Sequence, residues 1–506
     1  MKFTSIILKA EFLLIFTLVI SILLRFWLCL KGGQYFFVDE ARFVNGHYLL
    51  AHFSDGDWHS ILKRISTSFA HTLFIFLAAF AEGIRYLYVL CFVNSNASAH
   101  LLTQTSVAIE SAAFILSFAS TANILLLYLI TRQLGGSKLQ ALTASILLFI
   151  STTNFYFSRH LLPYDSSISL ALIGMYFGSR GNLSLVNNMI CGFFGGLATL
   201  TYNGYWILSA LIWTILILRT PNDWKKRANV AISCALAGIS PLLLLHAASA
   251  FCGENFLSGM LEWLDGTMDN QNGDFGIGWK VFFSYLWSTE RLIFWLYLGG
   301  SIIAFKHLRG IPHVPLNHAS TGPYCVIFIM GLFFLFSDLV QSSVLYGRTI
   351  KQIVPFLCLA CSYPLSRILS QTKSNRNLFI ALVPCSVILI CQFFYNYKQC
   401  FDLVFPSQFK NEAFSNFGTA SELSSLVGPN IKKLESNYSD VNYTLINCQV
   451  LVPPIEGYKP TPEGKVLMSA KHPYTFEPYQ YVHYNLSNRT LLKKEVLTMK
   501  LVRKLK

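Results

Sequence analysis

The sequence predicts an all-α polytopic membrane protein followed by a small external C-terminal domain of α+β character. Three observations carry this. Of the 506 residues 53% are hydrophobic and only 13% charged, whereas ordinary soluble domains carry about 25% charged residues. Mean hydropathy is +0.48, and apolar runs recur from Phe12 to Tyr397, most of them near the ~20 residues a helix needs to cross the hydrocarbon core. Beyond that point the composition turns mixed, with Pro453, Pro454, Pro460, Pro462, Pro473 and Pro478. The expected division is a transmembrane domain over 1–397 and an external domain over 398–506.

Taken in order, the first run is Phe12–Leu30. No small-residue cleavage site follows it, so it reads as a retained span, with Arg25 expected to snorkel outward. Later runs are Ser111–Ile130, Leu139–Phe157, Leu161–Gly178, Met189–Leu218, Ala228–Phe251, Leu292–Phe305, Tyr324–Ser337, Ile353–Leu365 and Leu378–Phe394. Met189–Leu218 is too long for one helix, and Tyr202-Asn203-Gly204-Tyr205 is its natural break. Basic loops at Arg132–Lys138, Arg180, Arg219–Arg227, Lys306–Arg309 and Arg367–Arg376 belong on the cytoplasmic side. Keeping them there requires about eleven spans, with the N-terminus inside and the C-terminus outside. It also requires the apolar stretch Ala70–Phe92 not to cross. Its Glu82 and Arg85, at i,i+3, suit the polar face of an amphipathic helix lying at the outer surface. Lys31–Thr103 then becomes one external segment with juxtamembrane helices. In the C-terminal domain Gln449–Leu451 and Tyr479–Tyr484 read as strands, and Cys400 and Cys448 could pair in an oxidising compartment.

The net charge of +14 does not indicate nucleic acid, because the basic residues are dispersed in short loops between apolar runs. The twelve cysteines sit mostly alone inside apolar runs, as small buried hydrophobes do. The Asp265–Asp274 stretch is no calcium loop, since Phe275 stands where an EF-hand needs glycine.

Chemistry gathers at a few outer positions. Asp39, Glu40 and Arg42 follow the first span; carboxylates there could simply cap a helix. Asp165 lies at or just below the surface in Ser158–Asp165, where an ionisable group is costly and suggests function, although capping of the helix it begins is an equal structural use. Arg159, His160 and Tyr164 share that loop, and Tyr346, Arg348 and Lys351 stand in the last external turn. Arginine suits bidentate phosphate recognition and lysine a point charge, though both also anchor lipid headgroups.

The order of these motifs resembles the superfamily of protein O-mannosyltransferases and 4-amino-4-deoxyarabinose lipid A transferases, C-type membrane glycosyltransferases that use polyprenyl-phosphate sugars. The matching stretches are Asp39–Phe43, Ala70–Leu73, Leu126–Leu139 with its Leu-Gly-Gly end, and Ser158–Asp165, with a weaker match from Arg348 to Pro355. Departures mark a divergent member: His71-Thr72-Leu73-Phe74 lacks the family's two prolines, Phe43 replaces a tyrosine, and no arginine stands around Val107–Ser111. The resemblance implies inverting transfer of a hexose or pentose from a polyprenyl-phosphate donor to a lipid, glycan or protein hydroxyl on the outer face of the membrane; the short loops favour a bacterial cell membrane over the endoplasmic reticulum. It implies Asp39 as general base, with Glu40 and Asp165 as supporting catalytic carboxylates. Arg42, His71, Arg159, His160, Tyr164, Tyr346, Arg348 and Lys351 would bind substrate. It leaves a divalent metal open, with His71 as a candidate ligand, and makes no cofactor certain. The rival reading is a transporter or flippase of a lipid-linked sugar, which needs the cations but no base.

Overall fold

Apolar sequence and serine or aspartate caps set many of the helix boundaries. The computed structural model describes residues 2–30, 34, 38–69, 71–92, 108–180, 184–220, 223–262, positions within 283–299, 347–372, positions within 387–400, and five strand segments between 417 and 493. For residues 2–9, 38, 39, 41, 218, 219, 347, 367–372 and the strands, only the backbone is described. The spans expected at Tyr324–Ser337 and over most of Leu378–Phe394, together with Tyr346, Asp265–Asp274, Cys448 and Gln449–Leu451, lie outside the described residues.

Among the described residues four helices are long and apolar enough to cross a membrane: Ala10–Cys29, Thr72–Phe92, Ile109–Gln133 and Trp224–Ala250. Lys138–Ile150 and Thr152–Arg159 make a fifth if counted as one span bent by 58°. Leu185–Thr201, Asn203–Ile217 and Val354–Ser366 are shorter apolar helical stretches. The first helix turns Phe12, Phe16 and Leu23 outward, and Trp224–Ala250 does the same with Leu236 and Leu244. That is the lipid-facing pattern of a helix with no water-soluble face.

Local chemistry places the bends. Ser151 ends Lys138–Ile150 and caps Thr152–Tyr156, its hydroxyl accepting from the Asn154 N–H at 3.2 Å. The same hydroxyl donates to Glu290 at 2.7 Å, and the Thr153 N–H donates to that carboxylate at 2.6 Å. Burial pushes the Glu290 carboxyl up from its usual range, while these bonds pull it down. Nothing in the sequence linked Glu290 to this break. Leu185–Thr201 and Trp206–Arg219 are separate helices joined at Asn203–Tyr205, as the long run required. Leu185–Thr201 packs on Trp224–Ala250 through Gly192 and Gly196, where a Cβ would strike the Cys234 and Gly238 carbonyls. Small residues permit such close approach of membrane helices.

Two expectations are corrected here. Thr72–Phe92 does not present Glu82 and Arg85 on an exposed polar face. Both side chains are fully buried: Arg85 bonds Glu82 at 2.9 Å, and His47 of the Val44–Asp55 helix meets the same carboxylate oxygen at 2.8 Å. The i,i+3 pair points inward because a third ionisable group on a neighbouring helix completes it. The pair therefore gives no support to a surface-lying amphipathic helix, and the sidedness of the basic loops is untouched by it. Arg25 likewise does not snorkel. It is fully buried, donating to the Ser21 hydroxyl and at 2.9 Å to that of Ser120, with the Phe155 ring beneath it.

Near the C-terminus five antiparallel strands form one sheet. Pro478–Asn485 pairs with Tyr443–Asn447, Lys465–Lys471 and Thr490–Lys493, and Phe417–Gly418 pairs with Tyr443–Asn447.

Candidate functional site

The Asp39–Phe43 motif forms a 3-10 turn, Val38–Phe43, leading directly into Val44–Asp55. The Asp39 side chain lies outside the described residues. The Phe43 ring is buried, with the His47 ring set edge-on 5.3 Å away. Glu40 is 0% exposed, and its carboxylate accepts from the Leu161 N–H at 2.6 Å. His160 Nδ1 lies 3.5 Å from its other oxygen. Gln34 ties the same loop down by donating to the Cys29 and Arg159 carbonyls at 3.1 and 3.0 Å. Glu40 thereby fastens the Phe157–Pro163 loop to the Val38–Phe43 turn. Glu40→Ala leaves the Leu161 N–H buried without its acceptor, at about 1–3 kcal/mol. Glu40→Gln keeps an acceptor oxygen. Activity and unfolding temperature should therefore fall together in Glu40→Ala and largely return in Glu40→Gln. Complete loss of activity in a normally stable Glu40→Gln would instead favour the chemical role that the resemblance implies.

Asp165 opens the Tyr164–Gly178 helix, and its backbone carbonyl accepts from Ser169 at 2.9 Å and Asn123 at 3.3 Å. Its carboxylate meets Lys351 Nζ at 2.7 Å, both side chains buried. Burial pushes the Lys351 ammonium below its usual value, and Asp165 opposes this. The Lys351 ammonium also lies 5.1 Å over the Phe157 ring. Arg348, one turn earlier, donates to the Tyr164 hydroxyl at 3.1 Å. Its backbone carbonyl accepts from the Tyr205 hydroxyl at 2.5 Å. Arg159 is fully buried and donates to the Cys400 carbonyl at 3.0 Å.

Arg42 bonds His71 Nε2. The His71 ring stacks on Tyr202 at 5.2 Å, and Tyr202 packs edge-on against Tyr164 at 4.8 Å. Phe157 meets Tyr164 at 5.7 Å and Tyr156 at 5.3 Å, and Tyr156 meets His160 at 5.1 Å. Direct contacts therefore join Glu40, Arg42, His71, His160, Tyr164, Asp165, Arg348 and Lys351 into one network, buried except at Arg42. A guanidinium held beside a tyrosine hydroxyl and an ammonium held beside a carboxylate can receive an anion by exchanging partners. A His71 nitrogen facing a guanidinium is poorly placed to ligate a cation, and among the described residues no three His, Cys, Asp or Glu groups cluster for a metal ion.

Sequence reasoning missed Gln34, Tyr202 and Tyr205. Gln34 carries no signal beyond being polar after a span. The tyrosines do: two aromatics with hydroxyls flanking a helix break inside an apolar run are unusual punctuation, since turns favour small polar residues.

Three solved structures are similar to this chain. ArnT from Cupriavidus metallidurans in the apo state is 12% identical, with 75% of this chain and 64% of that one covered and a TM-score of 0.49. The archaeal oligosaccharyltransferase AglB from Archaeoglobus fulgidus, in complex with an inhibitory peptide and a dolichol-phosphate, is 12% identical over 85% of this chain and 59% of its own, with a TM-score of 0.48. The Archaeoglobus fulgidus oligosaccharyltransferase tethered to an acceptor peptide is 12% identical over 90% of this chain and 61% of its own, with a TM-score of 0.42. The chain thus spans about three-fifths of the length of each. No family model and no curated protein matches it.

Proposed function

We propose that this protein is a membrane glycosyltransferase that moves a sugar from a polyprenyl-phosphate donor to a hydroxyl on a lipid, glycan or protein, at the outer face of a cell membrane. The observation that carries the reading is the convergence of the motif segments. The turn at 38–43, His71, the 156–165 loop and the 348–351 turn are far apart in sequence, yet their side chains share one contact network. Cations within it suit a phosphate leaving group, and the motif that enters it carries the carboxylate of Asp39.

In the reaction the acceptor oxygen attacks the anomeric carbon from the face opposite the donor phosphate. The new C–O bond forms as the sugar–phosphate C–O bond breaks, with inversion. The electron pair leaves on polyprenyl phosphate, and Asp39 takes the acceptor proton. Arg348 and Lys351 stabilise the charge developing on the leaving phosphate, Asp165 holds Lys351, Tyr164 holds Arg348, and Arg42 with His71 lines the approach. Transfer is tested by reconstituting the full chain in vesicles with polyprenyl-phosphate sugars and candidate acceptors. Release of polyprenyl phosphate that depends on the acceptor is the expected result. Movement of the donor between leaflets with no new glycosidic bond would replace this reading with that of a flippase.

A further inference from the structure

Sequence alone reads Tyr202-Asn203-Gly204-Tyr205 as a break between two apolar helices. In the structure this short loop touches three separate arms of the candidate site. The Asn203 amide donates to the Phe69 carbonyl at 2.9 Å, fixing the chain just before His71. The Tyr202 ring stacks on His71 and packs edge-on against both Tyr164, at 4.8 Å, and Tyr205, at 4.7 Å. The Tyr205 hydroxyl, fully buried, donates to the Arg348 carbonyl.

We propose that this loop belongs to the donor-binding machinery, with Tyr205 the positioning residue that sets Arg348 for the lipid-linked phosphate and Tyr202 the aromatic wall that holds His71 against Arg42. The inference rests on the lipid-phosphate reading above. Arg348 is held at both ends, its carbonyl by Tyr205 and its guanidinium by Tyr164. A long arginine side chain loses much rotamer freedom when it engages a ligand, and fixing it beforehand reduces that cost. Gly204 lets the arrangement close, because a Cβ there would lie 2.7 Å from the Tyr202 ring. Ordinary core packing would use the rings alone, and phenylalanine would serve it equally. Here the Tyr205 hydroxyl has a specific partner, and that partner is the backbone of a candidate phosphate ligand.

The test compares wild type with Tyr205→Phe, which keeps the ring and removes the hydroxyl. Binding of sugar-free polyprenyl monophosphate to the detergent-solubilised full chain is measured, together with transfer kinetics and unfolding temperature. Loss of one buried hydrogen bond corresponds to about a five- to tenfold change. Tyr205→Phe should weaken polyprenyl phosphate binding and raise the donor KM by about that factor, with a much smaller change in kcat. Tyr202→Ala should weaken binding as well. Tyr205→Phe binding as tightly as wild type, or losing binding only in proportion to unfolded protein, overturns the loop assignment alone. Wild type failing to bind polyprenyl phosphate overturns the lipid-phosphate reading with it. Inorganic phosphate should compete weakly; competition at equal affinity would overturn the lipid-linked assignment.

Discussion

Asp39→Asn should reduce sugar transfer by about a thousandfold while leaving donor binding nearly unchanged. A positioned general base contributes roughly 10²–10⁴ in rate, and asparagine matches aspartate in shape but cannot take the acceptor proton. The cations of the network, Arg42, Arg348 and Lys351, are untouched by the change, so polyprenyl phosphate should bind within a fewfold of wild type. Glu40 supplies the internal comparison. It neighbours Asp39 in sequence, yet its carboxylate accepts from the loop backbone at Leu161. Asp39→Asn should therefore affect turnover, whereas Glu40→Ala should affect stability and turnover together. Substantial transfer by Asp39→Asn would remove the general-base assignment. Loss of donor binding along with transfer would instead recast Asp39 as a ligand-binding group.

What was legible in the sequence was local or periodic. Apolar run length located the helices, and the break at Asn203 followed from a run too long for one of them. Motif order picked out most of the residues that meet in the network. What escaped was partnership across the fold. The spacing of Glu82 and Arg85 shows that they share a helix face but not which way that face points, and His47, which decides the matter, lies on another helix. Arg25 sits where snorkelling is the default, and Ser120 on a distant helix holds it inward. Adjacency makes Asp39 and Glu40 look like a matched pair, and nothing local shows that the Glu40 carboxylate also accepts from the distant Leu161 N–H. The three described glycines with positive φ, Gly56, Gly135 and Gly253, all end helices, a local signal that sequence does carry. The tyrosines of the 202–205 loop matter through what they touch, and no window of sequence contains both them and Arg348.

The Asp165–Lys351 pair allows stability and chemistry to be separated. Lys351→Met would leave the Asp165 carboxylate buried without its counter-charge, and breaking a buried pair in this way costs about 3–5 kcal/mol. Asp165→Asn would strand the ammonium, whose charge burial already disfavours, and would release it from its place over Phe157. The double variant Asp165→Asn, Lys351→Met removes both charges, and replacing a buried pair by uncharged groups is often close to neutral for stability. Unfolding temperatures should therefore fall in each single variant and recover in the double one, a coupling that a double-mutant cycle reads directly. Transfer should follow a different pattern. Lys351 is assigned to the phosphate charge that develops as the donor bond breaks, and losing one such preorganised cation costs about 10²–10³ in rate. All three variants should be slow, and the double variant should be both stable and slow. If its transfer returned with its stability, the pair would be a packing device between the Tyr164–Gly178 helix and the 348–351 turn, and the leaving-group charge would fall to Arg348 alone.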